Sequence, residues 1–316
     1  VLPRSKTWMP GTRPGMTAVL EETLQVNLGF VGLGAMGELI VPRLMAALDA
    51  LGLAPAAVDF VVPTHVHLDH AGGAGLLMTQ LPQATMVVHP RGARHMIDPA
   101  ALVQGALAVY GPDEMARSYG TLVGVDPARV RASHDGMDLV LGGTRVLHLI
   151  DTPGHARHHH CIWDATTRGW FSGDTFGSCY REFDSANGGW ILPTTVPVQF
   201  EPVALRASVQ RLMSFAPACM YLTHFGRVDD VPRLATRLLS VLDGMVAIGQ
   251  RLRSANDRHR ALARALTQFY ASGLAEHGIE PSAPVLDLLA MDIELNAQGI
   301  AVWLDREAKA GKERKS

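Results

Sequence analysis

The spacing of apolar positions changes along the chain, and the changes divide it into parts. ELIVPRLMAALDALGL (residues 38–53) repeats apolar residues every three or four positions, an amphipathic helix, and Pro42 argues that the helix starts there. VDFVVPTH (58–65) and ATMVVHP (84–90) are apolar runs of strand length. Between them, Gly72, Gly73 and GLLM predict a turn running into a helix. Residues 91–120 read as helix with breaks. MDLVLGG and TRVLHLIDTPGH alternate on either side of a Gly-Gly turn, which predicts a hairpin, and HHHCIWDATTRGWFSGDT repeats that layout. A helix is expected from about Glu201 to Phe215, and ACMYLTHFG is a last strand with a polar tip. From Asp229 onward the pattern is helical.

Strands mixed with helices, followed by helices alone, predict an α/β (α+β) layered catalytic domain over 17–228 and a helical extension over 229–316. Residues 1–16, rich in Pro and Gly, read as a disordered lead, with Met16 as the start of translation. Alternation over 17–31 is weak; LQVNLGFVGL reads as one or two strands broken by glycine.

Composition narrows the function. At 47% hydrophobic residues, 316 residues can bury a substantial core. A formal charge of −2 gives no general electrostatic reason to hold nucleic acid or an anionic membrane surface. No apolar run is of bilayer length, and the first residues lack the apolar stretch of a secretion signal, so a cytoplasmic protein without nucleic-acid or membrane partners is expected. Cys161, Cys179 and Cys219 form neither a CxxC pair nor a disulfide framework.

The chemistry concentrates at the ends of the strands. THVHLDHAGG (64–73) crowds four ligand-type side chains into six positions. His65 and His67 are two apart and point the same way on an extended segment, whereas Asp69 and His70 fall where the strand gives way to a turn. Such crowding is costly without a cation. His155, Asp174 and His224 each follow an apolar strand and precede a loop. The same placement at four strand ends is far more specific than any single histidine.

THVHLDH, DTPGH, FSGDT and LTHFG, in this order, resemble the metallo-β-lactamase fold superfamily of hydrolases, with the best likeness to its glyoxalase-II-like members; the resemblance spans residues 24–226. It implies a four-layer αββα sandwich with the metals at one edge between two sheets, here followed by C-terminal helices. It also implies that His65, His67 and His155 bind a first metal, that Asp69, His70 and His224 bind a second, and that Asp174 bridges both. Two divalent cations, zinc first and iron or manganese as alternatives, would share a bridging hydroxide that Asp69 orients. The oxygen-reducing diiron members carry glutamate where this chain has His67, which favours hydrolysis over redox chemistry.

Other residues divide between a role and ordinary packing. His159 matches a further histidine of the family motif and is read as supporting the site; His158 and His160 are read as solvated or satisfied in the core. His89 and His95 are not assigned to the site. Tyr180 is either a donor to a developing oxyanion or a packed aromatic. Trp190, Phe200 and Tyr110 are expected to line an apolar pocket, with Pro193 and Pro197 at its rim. GFVGLGAMG (29–37) contains GxGxxG, but the next strand runs straight into the metal motif, so an NAD-dependent dehydrogenase is disfavoured. In the family this stretch usually carries an aspartate near the metals, and that acid is missing here.

The expected activity is therefore hydrolysis of a small ester-like molecule, a thioester or lactone. A phosphodiesterase and β-lactam cleavage are the alternatives on the same site. A non-catalytic interaction protein dominated by its C-terminal helices, which with Phe269, Tyr270 and Trp303 either cover the cleft or form a homodimer surface, is the alternative of a different class.

Overall fold

The structure is a computed structural model that describes residues 29–31, 37–197 and 199–313. The expected lead at 1–16, residues 17–28 and residues 32–36 of the glycine-rich stretch lie outside the described residues, as does the side chain of Tyr110.

Two sheets face each other. The first holds β1 (Gly29–Val31), β2 (Phe60–Val62), β3 (Thr85–Val88) and β4 (Val130–Ala132), all parallel and in that order. The second runs β10-β9-β8-β7-β6-β5, where β5 is Met137–Leu141, β6 Arg145–Asp151, β7 His160–Asp164, β8 Gly169–Gly173, β9 Cys219–Leu222 and β10 Gly226–Val228. Its pairs are antiparallel except β8 with β9, which are joined through a helix.

The period-two alternation of these strands builds the layers. Val62 and Val87 face Met137, Leu139, Leu147, Leu149 and Ile162 between the sheets. Their neighbours Val61, Met86 and Val88 turn the other way, onto Val41, Leu44 and Leu48 of α1 (Gly37–Ala50) and Leu77 of α3 (Ala74–Gln80). On the second sheet, Ile150, Cys161, Trp170 and Met220 turn outward onto Leu205, Val209 and Leu212 of α7 (Pro202–Met213) and onto α8 (Val231–Leu252). Helix, sheet, sheet, helix is the αββα sandwich, with a C-terminal helical extension.

That extension continues through α9 (Arg258–Glu276), α10 (Ala283–Leu288) and α11 (Ala290–Glu313). Leu262, Leu266, Tyr270, Ile300, Trp303 and Leu304 belong to the same buried cluster as Trp170 and Met220. Tyr270 and Trp303 are thus spent on packing within the chain. Among the described residues, no helix is long and apolar enough to cross a membrane.

Three local expectations need correction. The first helix begins at Gly37, and Pro42 lies inside it. A proline there removes only the hydrogen bond to the first turn, while Val41, Leu44 and Leu48 hold the helix to the sheet. β4 and β10, three residues each, had no pattern of their own. β4 is held by β3 and by Arg129, whose guanidinium donates to the carbonyls of Met78 (2.9 Å), Ala84 and Leu81. Lastly, Trp190 and Phe200 are each 1% exposed within the core under the C-terminal helices, instead of lining a pocket beside the strand-end histidines.

Candidate metal centre

All seven strand-end side chains meet at one edge of the sandwich. β2 ends at Val62, and the chain then turns through His65 and His67 into a single helical turn, α2 (Leu68–Ala71), which carries Asp69 and His70. Opposite, His155 follows β6, Asp174 follows β8, and His224 sits in the turn between β9 and β10. Gly173 makes the delivery of Asp174 possible. It holds φ at +49°, and a Cβ there would lie 2.4 Å from His159 Nε2 and 2.8 Å from Thr64 Cβ.

Three triads of ligand atoms lie within 4.8 Å of one another: His65–His67–His155, Asp69–His70–His224 and His65–His70–Asp174. The first two are the sets expected for two metals. In the first, His67 Nδ1 is 2.8 Å from His65 Nε2 and 3.2 Å from His155 Nε2. In the second, Asp69 Oδ2 is 3.1 Å from His70 Nε2 and 3.5 Å from His224 Nε2. Asp174 stands between them: its Oδ2 is 3.3 Å from His70 Nε2 and 3.4 Å from His155 Nε2, and its Oδ1 is 3.7 Å from His224 Nε2. Metal–nitrogen bonds of about 2.0–2.1 Å in tetrahedral array put ligand atoms about 3.3 Å apart. The observed separations are of that size.

The donors also lack other partners. Both ring nitrogens of His70 and Oδ1 of Asp174 are buried without a hydrogen bond. Close contact without hydrogen-bond geometry is what lone pairs aimed at a common point produce, and leaving them so without a cation is costly. Imidazole and carboxylate donors suit divalent zinc, iron or manganese. The residues present therefore fit a pair of divalent ions.

The electrostatics agree. Burial and the neighbouring histidines hold His65 and His67 well below the ordinary imidazole range. Burial also lowers His155, outweighing the attraction of Asp174. Burial would raise Asp69 and Asp174, but His70 and the other nearby histidines outweigh it and hold both carboxyls below their usual range. His70 goes the other way: against burial, Asp174 and Asp69 push it up to about 10. His224 is likewise raised: burial lowers it, but Asp174 and Asp69 together outweigh that. The raised His70 and the lowered carboxyls mark a place between Asp69 and Asp174 where positive charge is favoured, and a cation would fill it.

Supporting contacts fix the ring tautomers. The Thr194 carbonyl lies 2.9 Å from His155 Nδ1 and can only accept, so Nδ1 carries the proton and Nε2 faces the cluster. His159 Nε2 accepts from the Asp174 backbone N–H at 3.2 Å, so its Nδ1–H turns to Thr152 Oγ1 at 2.9 Å. It therefore positions Asp174. His158 Nδ1 is 3.4 Å from the Val66 N–H, and His160 bridges Ser133 Oγ (2.8 Å) and the Pro63 carbonyl (2.9 Å); both are buried, not solvated. His89 caps α4 (Pro90–Ile97) and meets Asp151 at 3.1 Å, and half-buried His95 lies against Arg94; neither joins the triads. The three cysteines are free and buried, and burial pushes Cys161 up to about 12.

Of the two readings of Tyr180, the structure shows the packed aromatic. Its hydroxyl donates to Asp292 Oδ2 at 2.5 Å, and its ring packs on Phe183 and Phe225. Burial, partly offset by that hydrogen bond, pushes Asp292 up to about 6. Thr194, Asp292 and Asn296 were missed in the sequence. Asp292 and Asn296 sit on α11, far along the chain from any ligand, and no local motif marks them.

Comparison with known proteins follows the same lines. A family profile described as the metallo-β-lactamase superfamily matches residues 31–224. The metallo-β-lactamase fold-containing protein ST1585 of Sulfurisphaera tokodaii is 29% identical over 176 residues, 54% of this chain and 62% of that protein. N-acyl homoserine lactonase AttM of Agrobacterium fabrum is 33% identical over 112 residues, 35% of this chain and 38% of that one. The chain thus spans less than two thirds of the length of either curated relative. Among solved structures, a metallo-β-lactamase family protein of Thermus thermophilus superposes with a TM-score of 0.59 at 18% identity, covering 88% of this chain and 84% of that one. The archaeal ST1585 structure gives 0.53 at 21% identity, covering 77% and 80%.

Proposed function

The chain belongs to the metallo-β-lactamase superfamily, and on that premise we propose that it is a dinuclear metal-dependent hydrolase of a small ester-like substrate, a lactone first and a thioester second. The observation that carries this reading is the pair of ligand triads joined by Asp174, with the buried His70 nitrogens and Asp174 Oδ1 unpartnered. His65, His67 and His155 would hold one ion and Asp69, His70 and His224 the other, with Asp174 shared between them. Two ions so held would supply a water-derived nucleophile at neutral pH and neutralise charge that develops on the substrate oxygen.

The chain's own groups set the conditions for that chemistry. Asp69 is held ionised and its side chain is partly exposed, so it can accept a hydrogen bond from an attacking water and orient it. His155 is locked by Thr194 in the tautomer that presents Nε2. The similarity to an N-acyl homoserine lactonase, although over about a third of the chain, favours a lactone. The chain's near-neutral charge favours a substrate without a polyanionic backbone.

The test is a hydrolysis panel on protein whose metal content has been measured by elemental mass spectrometry. N-acyl lactones, acyl thioesters, a nitrophenyl phosphodiester and a chromogenic β-lactam are assayed side by side. About two ions per chain, with turnover highest on a lactone or thioester, is the expected result. Highest turnover on the phosphodiester or β-lactam would overturn the substrate class. Protein that takes up no metal would overturn the dinuclear reading and return weight to an interaction protein.

A further inference from the structure

α11 makes a row of polar contacts to the loop between β8 and α7, which begins at Asp174. Asn296 is 1% exposed, and each polar atom of its amide is used. Its Oδ1 accepts from the Thr195 N–H at 2.7 Å; its Nδ2 donates to the Pro193 carbonyl at 3.2 Å and to Tyr270 Oη at 2.8 Å. Its own carbonyl accepts from Thr195 Oγ1 at 3.3 Å. Residues 193 and 195 are therefore pinned, and Thr194 stands between them. Thr194 is the residue whose carbonyl takes the His155 Nδ1–H, and its Oγ1 donates to the Asp174 carbonyl at 3.4 Å.

One turn earlier on the same face, Asp292 accepts a hydrogen bond from the Tyr180 hydroxyl. Tyr180 lies on the loop that leaves Asp174, and its ring stacks at 4.1 Å on Phe225, the residue after His224. One turn later, Gly299 lets the helix approach: a Cβ there would lie 2.4 Å from Thr195 Oγ1. Positions 292, 296 and 299 form a single stripe facing the segment between β8 and α7, which begins at Asp174 and whose Thr194 reaches His155. Asparagine is a poor helix former, and burying its amide gains little for packing. A satisfied buried amide does, however, fix a loop in one register.

We propose that α11 positions the metal centre: Asn296 sets the Thr194 carbonyl that orients His155, and Asp292, through Tyr180, sets the loop leaving Asp174 and the wall behind His224. This rests on the dinuclear reading above. Asn296 and Asp292 are positioning residues that act through Thr194 and Tyr180. The C-terminal helices are thereby part of the metal site, and their loss would loosen the second sheet's ligands.

The test reads metal binding without turnover. Metal-free protein is titrated with cobalt(II) against a competing chelator while the visible spectrum is recorded. Wild type is compared with Asn296→Ala, Asn296→Asp, Asp292→Asn and Tyr180→Phe. Ile300→Val is the control, because Ile300 is buried on the same helix among core side chains. Asn296→Ala is expected to weaken one of the two cobalt sites by about 10- to 100-fold and to change its spectrum. Tyr180→Phe, which removes the hydrogen bond to Asp292, is expected to produce a smaller loss, and Asp292→Asn, whose amide oxygen can still accept from Tyr180, a smaller one still. Ile300→Val should leave affinity and spectrum unchanged.

Folded Asn296→Ala and Tyr180→Phe proteins with wild-type affinity and spectrum would overturn the proposal. If Asn296→Ala does not fold, Asn296→Asp, which keeps the acceptor for Thr195 and loses the donors, decides in its place. Wild type that binds no cobalt would overturn the dinuclear reading as well, whereas wild type that binds two and variants that match it would overturn only the role of α11.

Discussion

The two sheets contribute to the same site in opposite ways. The first delivers His65, His67, Asp69 and His70 from one short segment, where an extended turn and the single turn of α2 fix all four directions locally. The second delivers His155, Asp174 and His224 from three separate loops, and each is propped by something distant: Thr194 and Asn296 behind His155, His159 behind Asp174, Phe225 and Tyr180 beside His224. Ligands adjacent in sequence inherit their geometry from the backbone. Ligands far apart need tertiary contacts to hold them, and each contact is a place where the site can be loosened without touching a ligand.

The largest effect should come from the residue that joins the two halves. Asp174→Ala removes the carboxylate that meets His70, His155 and His224. Metal content should fall from about two ions per chain to one or fewer, with hydrolysis lost; retention of two ions would break the picture of Asp174 as the bridge. Gly173→Ala should come next. It places a methyl group against His159 and Thr64 at positive φ, for an expected loss of about 2–5 kcal/mol in denaturant unfolding. His159→Ala leaves the Asp174 N–H without its acceptor and should weaken metal binding by about 10- to 100-fold. Wild-type affinity in that variant would show that the second sheet's ligands need no propping.

Solution pH sharpens the same comparison. His70 and His224 are raised in the metal-free fold, so their stabilisation is full below the ordinary imidazole value of 6.5 and is lost as pH rises, for His70 through about 10. His65, His67 and His155 are lowered, so their contribution is full above 6.5 and is lost as pH falls toward their folded values. Metal-free protein should therefore be most stable near pH 6.5 and lose stability on both sides. Metal displaces the His70 proton, so loading should release protons, tighten as pH rises and remove the alkaline loss. Thermal unfolding with and without metal, and proton release on loading in weak buffer, check this; an alkaline loss unchanged by metal would contradict it. The smallest effect is expected at His148, on the second sheet away from the site, where it meets Asp138 at 2.7 Å. His148→Ala should change stability by no more than about 0.5 kcal/mol and leave metal content alone.

The ligands were legible because each strand end announces itself: an apolar run, then a histidine or aspartate, then a glycine or a turn. Layering was legible for a related reason, since alternation in FVV, TMVV and RVLHLID assigns each side chain to one face of its sheet. β4 was not, because VRA has no pattern of its own and becomes a strand only by pairing with β3. Pro42 misled, because a proline rule written for isolated helices ignores the packing of Val41 and Leu44 on either side of it. Trp190 and Phe200 looked like pocket walls, because nothing in the sequence says that the C-terminal helices close over them.

By itself, then, the sequence determined which side chains are available for metal and which strands carry them. Those choices are written in residue type and spacing over fewer than ten positions at a time, the range over which backbone periodicity acts. The tertiary structure alone decided that the Tyr180 hydroxyl donates to Asp292 and that Asn296 holds the segment behind His155. Each of these depends on a contact between residues distant in the chain, and such contacts form only when the sheets and helices pack, so no local pattern can record them.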